Sequence, residues 1–396
     1  MNIAAEDVAR PPTLTFLTQG FRPFFLAAGL WSTAAIALWV AVLIAGIELP
    51  SRFDPLTWHI HEMLFGFVMA VIAGFILTAI PNWTKRAPVS GVLLATLAGL
   101  WLLGRIACLI SAFVPAWLTV IADFSFPALL IAVGAREVIA AGNWRNLPVL
   151  APITLLGAAD LLVHLEANGA AVPQGLGWRL GLAAVTVLIS VVAGRIVPSF
   201  TRNWLVQRHS AHLPAGHGWI DRGALGILPT GLLGWALFPA CRPFGLLLIL
   251  GAMLNFWRLF RWRGGATISE PLLFILHVGY AWLVLGSALL GLATLGLYVP
   301  QSAGVHALTA GAIGTMTLAM MTRVARGHTG RDLSADRETA VIYILVNMAA
   351  LARVAAAIGA TWTTPLLIAS AGLWVGAFVL FVTFYGPMLL LPRQTN

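Results

Sequence analysis

Twelve stretches of this chain are apolar over about twenty residues each, and that pattern decides the fold class before any motif is read. They fall near residues 22–46, 57–80, 89–112, 116–140, 148–167, 178–199, 223–240, 243–262, 270–297, 303–325, 338–359 and 365–391. A helix needs about 20 apolar residues to cross ~30 Å of hydrocarbon. Only 9% of the residues are charged, against about 25% in soluble domains, so the chain cannot cover itself with a water-facing surface. The sequence therefore predicts an all-α polytopic membrane protein of twelve transmembrane helices, one membrane domain over residues 1–396. The first run follows a polar tail and is too long for the apolar core of a cleavable leader.

The net charge of +9 is a matter of topology rather than of nucleic-acid binding. With the N-terminus inside, the cytoplasmic connections hold Lys85, Arg86, Arg145, Arg202, Arg208, Arg258, Arg261, Arg263, Arg326, Arg331 and Arg337, whereas the outer ones hold Arg52 and Arg242. That asymmetry follows the positive-inside rule and predicts both termini in the cytoplasm. Membrane lipid is then the surrounding partner, and no nucleic acid is expected. Cys108 and Cys241 lack a CxxC spacing and read as packing residues. The loop at 200–221 carries His209, His212 and His217 at irregular spacing, as a solvated loop would.

Spans 2, 6 and 10 end "AGFILTAIPNWTKR", "AGRIVPSFTRNWLVQR" and "TLAMMTRVARGHTGR", at offsets of about 120 residues. Three sets of four helices would make a pseudo-threefold bundle.

Ionisable side chains inside a span are costly against lipid and mark candidate sites. "TWHIHEM", residues 57–63, opens span 2 from the outside. Asp54 is placed to cap that helix, with Pro55 at its first position. His59 and His61 then lie roughly 6–9 Å into it. His306 enters span 10 at a similar depth, and His164 stands near the outer end of span 5, so four histidines gather in one outer layer. On an α-helix His59 shares a face with Glu62, Met63 and Gly66, and His61 with Leu64, Phe65 and Val68. Two opposed imidazoles suit the axial positions of a haem, and His61 or His59 with His306 is the pair expected. Arg105, Arg179 and Arg353, in the outer thirds of their spans, are candidate propionate partners. Arg105 has a competing assignment: it and Asp123 are nearly equidistant from the hairpin at Pro115, where they would neutralise each other. Asp160 and His164 form an i,i+4 pair, either an imidazole and its orienting carboxylate or a polar cap. His277, with Tyr280 one turn on, is a candidate ligand, proton-path residue or interhelical contact. Met316, Met320 and Met321 would suit Cu(I) and also serve as ordinary fillers.

The motifs "GFRPFF", "WHIHEMLFGF", "AGFILTAIPNWT", "RNWL", "HVGYAW", "HALTAGAIGTMTLAMMTR" and "GHTGR" resemble, in order, those of the NnrS family, from Gly20 to about Arg331. The resemblance implies a twelve-helix bacterial inner-membrane protein that contains haem b and copper and is associated with tolerance of nitric oxide during denitrification or nitrosative stress. The layout is also similar to haem–copper oxidases, with haem ligands from helices 2 and 10. It departs from them in having no histidine in span 6 and no His-His pair in span 7, which argues against oxygen reduction.

Three functions fit this layout. The leading one is a haem and copper protein handling nitric oxide, as a nitric oxide reductase-type oxidoreductase fed by an unidentified electron donor. The second is a non-catalytic protector or sensor of nitric oxide, and the third a twelve-helix secondary transporter.

Overall fold

The computed structural model describes residues 15–359 and 361–394. Among these the chain is helical, without strands. The twelve expected runs are all found as helices: α1 (Phe21–Ala45), α2 (Pro55–Thr84), α3 (Gly91–Leu109), α4 (Ala116–Ala140), α5 (Leu150–Ala167), α6 (Leu176–Gln207), α7 (Trp219–Leu237), α8 (Arg242–Arg261), α9 (Pro271–Thr294), α10 (Gln301–His328), α11 (Arg337–Ile358) and α12 (Thr363–Leu390). Eleven are long and apolar enough to cross a membrane; α7, a 19-residue helix, falls outside that set. This is a multi-pass membrane protein. Several helices outrun their apolar cores. α6 continues past Pro198 to Gln207, which shortens the expected loop.

Two helices change pitch. Within α2 the segment Glu62–Val68 is π-helical, between α-helical Pro55–His61 and Met69–Thr84. Within α10 the segment Ala307–Ile313 is π-helical as well. Each begins on the residue after a histidine, His61 or His306, and α6 has no such segment. Such wide turns are rare and frequently mark functional sites.

The chain forms two compact units. The first comprises residues 1–181, 320–333 and 378–396, the second residues 182–319 and 334–377. In the first, α1 packs on α2 with Phe24 and Phe25 seated over Gly74, and on the end of α12 through Gly29 against Phe381 and Val382. Arg22 closes the C-terminal end by donating to the carbonyls of Leu389 and Leu391, at 3.0 and 2.7 Å.

In the second unit α8 and α9 cross so closely that a Cβ on Gly245 would lie 2.9 Å from the carbonyl oxygen of Gly291. Small residues allow that approach, and in lipid close packing is what holds helices together. Arg258, counted above with the cytoplasmic cations, is drawn inside. Its Nε donates to Asp221 Oδ1 at 3.0 Å. Its Nη1 donates to Asn255 Oδ1 at 2.9 Å, Tyr280 Oη at 2.7 Å and Ser190 Oγ at 3.3 Å. Tyr280 in turn donates to Asn255. With that many acceptors around it, the guanidinium is a structural keystone. Arg258→Ala leaves Asp221 with a weaker partner and should cost about 3–5 kcal/mol. Arg261→Ala, which removes a 3.4 Å contact to Asp221 and a 2.9 Å hydrogen bond to the carbonyl of Gly216 from a partly exposed side chain, should cost about 1 kcal/mol or less. Thermal unfolding of the two variants in detergent measures the difference, and equal losses would contradict it.

Candidate metal centre

The start of α2 is set locally. Asp54 Oδ1 accepts from the backbone N–H groups of Leu56 and Thr57, both at 3.1 Å, and Pro55 fills the first turn. This fixes the first α-helical turns and brings His61 to the point where the pitch changes. The wider π turns then alter which side chains share a face. Just before them, His61 meets its chain neighbour Glu62, with Nδ1 3.2 Å from Glu62 Oε1.

Around these two residues the first unit buries a polar cluster supplied by five helices. Glu62 Oε2 accepts from Trp31 Nε1 of α1 at 2.8 Å and from Arg105 Nη1 of α3 at 2.7 Å. The other guanidinium nitrogen, Arg105 Nη2, is paired with Asp123 Oδ1 of α4, the neutralising pair expected across the Pro115 hairpin. Asp123 Oδ2 lies 3.0 Å from His61 Nε2 and 2.9 Å from His164 Nε2 of α5. Asp160 Oδ1, also on α5, lies 2.9 Å from His61 Nε2. Cys108 Sγ donates to Asp123 Oδ2 at 3.4 Å. Every one of these side chains except Trp31 is buried. Phe53 covers both imidazoles, with ring centroids 4.9 Å from His61 and 5.2 Å from His164.

The charges leave room for a cation. Three carboxylates, Glu62, Asp123 and Asp160, and two imidazoles surround one guanidinium at a buried position, so balance is reached with protons on the imidazoles or with a metal ion. His61 has carboxylate oxygens on both ring nitrogens. A neutral imidazole carries one N–H, so one of those contacts needs a second proton or a metal ion in its place.

The geometry suits an ion. Donor atoms of His61, Cys108, Asp123 and His164 all lie within 4.8 Å of one another, the one such group among the described residues. Three of their separations, 2.9, 3.0 and 3.4 Å, converge on Asp123 Oδ2. Ligands of a tetrahedral ion with bonds of roughly 2.0–2.3 Å stand roughly 3.3–3.8 Å apart, so small displacements would convert these contacts into a coordination shell. Glu62, on the far nitrogen of His61, holds the position of an orienting carboxylate.

The remaining candidate residues lie elsewhere. His59 is half-buried, its ring stacked on Trp39 at 4.7 Å with planes 11° apart. Arg179 donates to the carbonyl of Gln174 at 2.9 Å and lies over Trp178. In the second unit, His306 Nδ1 is 3.4 Å from Thr309 Oγ1. His277 Nε2 is 2.9 Å from Thr201 Oγ1, an interhelical contact between α9 and α6. Tyr280 belongs to the Arg258 network, and Arg353 is half-buried on α11. The histidines of the 200–221 loop are exposed and converge on no shared site. Cys108, read from the sequence as a packing residue, is the member of this group that sequence reasoning did not single out, and no local spacing marks it.

Gly66 keeps the cluster open. A Cβ there would lie 2.9 Å from Arg105 Nη1, Glu62 Oε2 and Trp31 Nε1 at once, and Trp101 Nε1 donates to its carbonyl at 2.9 Å. Gly66→Ala should therefore destabilise the protein by about 1–3 kcal/mol through overpacking. Gly99→Ala, on α3 with open space around it, should be neutral or stabilising by up to about 1 kcal/mol. Paired melting curves test this, and a neutral Gly66→Ala would show that the cluster has slack.

No curated protein matches this chain closely enough to serve as a relative. A family model does, over residues 15–393 of the 396, and its description is NnrS protein. With nearly the whole chain matched, the protein belongs to the NnrS family.

Proposed function

We propose that this protein is a haem b- and copper-containing protein of the bacterial inner membrane that handles nitric oxide, by reducing it, detoxifying it or protecting other metal centres from it. The family supports the nitric oxide reading. The observation that carries the metal half is the buried set of His61, Cys108, Asp123 and His164. These four residues would hold the metal, Glu62 would orient His61, and Arg105 would neutralise Glu62 and Asp123. Histidines outside that set, His59 in the first unit and His306 and His277 in the second, are the ones we propose for haem. A bound haem supplies an iron that takes up a diatomic ligand. Twelve crossings with both termini cytoplasmic, and with α7 among the crossings, complete the proposal.

Purified full-length protein should show a reduced-minus-oxidised haem spectrum that shifts when nitric oxide is added, with haem and copper present in metal analysis. Turnover of nitric oxide by the haem-loaded sample would identify an enzyme, and its absence a protector or sensor. A preparation that folds but contains neither haem nor copper would sink the proposal and favour a transporter.

A further inference from the structure

The geometry points to Cys108 as a thiolate ligand in a closed, four-protein-ligand transition-metal site with His61, His164 and Asp123. This deepens the metal-binding part of the function proposed above and rests on that part alone.

A cysteine within a membrane helix needs no polar partner, since it packs as a small hydrophobe. Cys108 is fully buried, yet its sulfur is directed at a carboxylate oxygen, Asp123 Oδ2, that also receives His61 and His164. Three donors, two imidazoles and a thiol, thus point at one place from three helices, α2, α3 and α5, around an oxygen of a fourth, α4. A buried carboxylate gathers hydrogen-bond donors, and this set goes further: one sulfur, two nitrogens and one oxygen are a complete set for a four-coordinate ion.

The donor set also narrows the metal. Thiolate and imidazole favour copper or zinc, whereas magnesium, calcium and manganese prefer oxygen. The site is closed as well, because four protein atoms fill four positions, and each residue is at most 3% exposed at its side chain or is fully buried. With no position left for an outside ligand, binding of a small diatomic belongs to another centre.

The test uses full-length protein in detergent, stripped with a chelator and reloaded with Co²⁺, whose thiolate complexes give a charge-transfer band absent from purely nitrogen and oxygen sites. One Co²⁺ per chain with that band is expected. Cys108→Ser should lose the band, and Cys241→Ser, which changes the other cysteine, should keep it. Should Cys108→Ser fail to fold, X-ray absorption at the cobalt edge of the wild-type protein reads a sulfur neighbour directly. Glu62→Gln should weaken Co²⁺ binding roughly 10–100-fold. Metal analysis before stripping separates copper from zinc as the native ion. Folded protein that takes up no Co²⁺, or a band that survives in Cys108→Ser, would overturn the assignment. Haem content and the nitric oxide response, recorded on the same samples, keep the two proposals apart. A normal haem response without Co²⁺ uptake removes this site alone, and a thiolate–cobalt band without haem or copper removes the nitric oxide function alone.

Discussion

Arg105 is the charge on which the first unit depends. Placing a cation within a span is costly, and the same is true of each carboxylate near it. By reaching Glu62 with one nitrogen and Asp123 with another, Arg105 lets two of three acidic groups stay buried. Those two carboxylates in turn hold His61 from both sides. Removing the arginine would leave Glu62 with the indole of Trp31 and the imidazole of His61, and Asp123 with only imidazoles and a thiol. The arrangement of α1 to α5 around one point is therefore an electrostatic requirement as much as a packing one.

Most of the architecture was legible because lipid imposes simple rules. Apolar runs gave the helices, and Asp54 with Pro55 gave the start of α2. The distances of Arg105 and Asp123 from the hairpin gave their pairing. Two features were hidden. Face arithmetic at 3.6 residues per turn joined His59 to Glu62, whereas the imidazole that Glu62 meets is that of its chain neighbour His61. Nothing in local composition announces the π segment that follows, Glu62 to Val68. Cys108 was hidden because hydropathy counts cysteine as apolar, and only the positions of Asp123, His61 and His164 in space give its sulfur a chemical role.

The second unit solves the same problem differently. Its buried cation, Arg258, is satisfied by one carboxylate and by neutral oxygens of Asn255, Tyr280 and Ser190. No carboxylate is left in excess there, so that network supports helices and calls for no further cation. The contrast separates scaffold from candidate site within one chain: both clusters are polar and buried, and only the first gathers side chains suited to holding a metal ion.

The hairpin at Pro115 has a consequence for how the protein is made. Arg105 and Asp123 sit on consecutive helices, eighteen residues apart in sequence, and meet side by side. If α3 entered the bilayer alone, it would carry an unbalanced cation, and α4 alone an unbalanced anion. Entering together, the two helices bring a neutral pair. Biosynthesis is thereby biased toward releasing α3 and α4 as one unit, with the charge pair closed before either helix meets lipid.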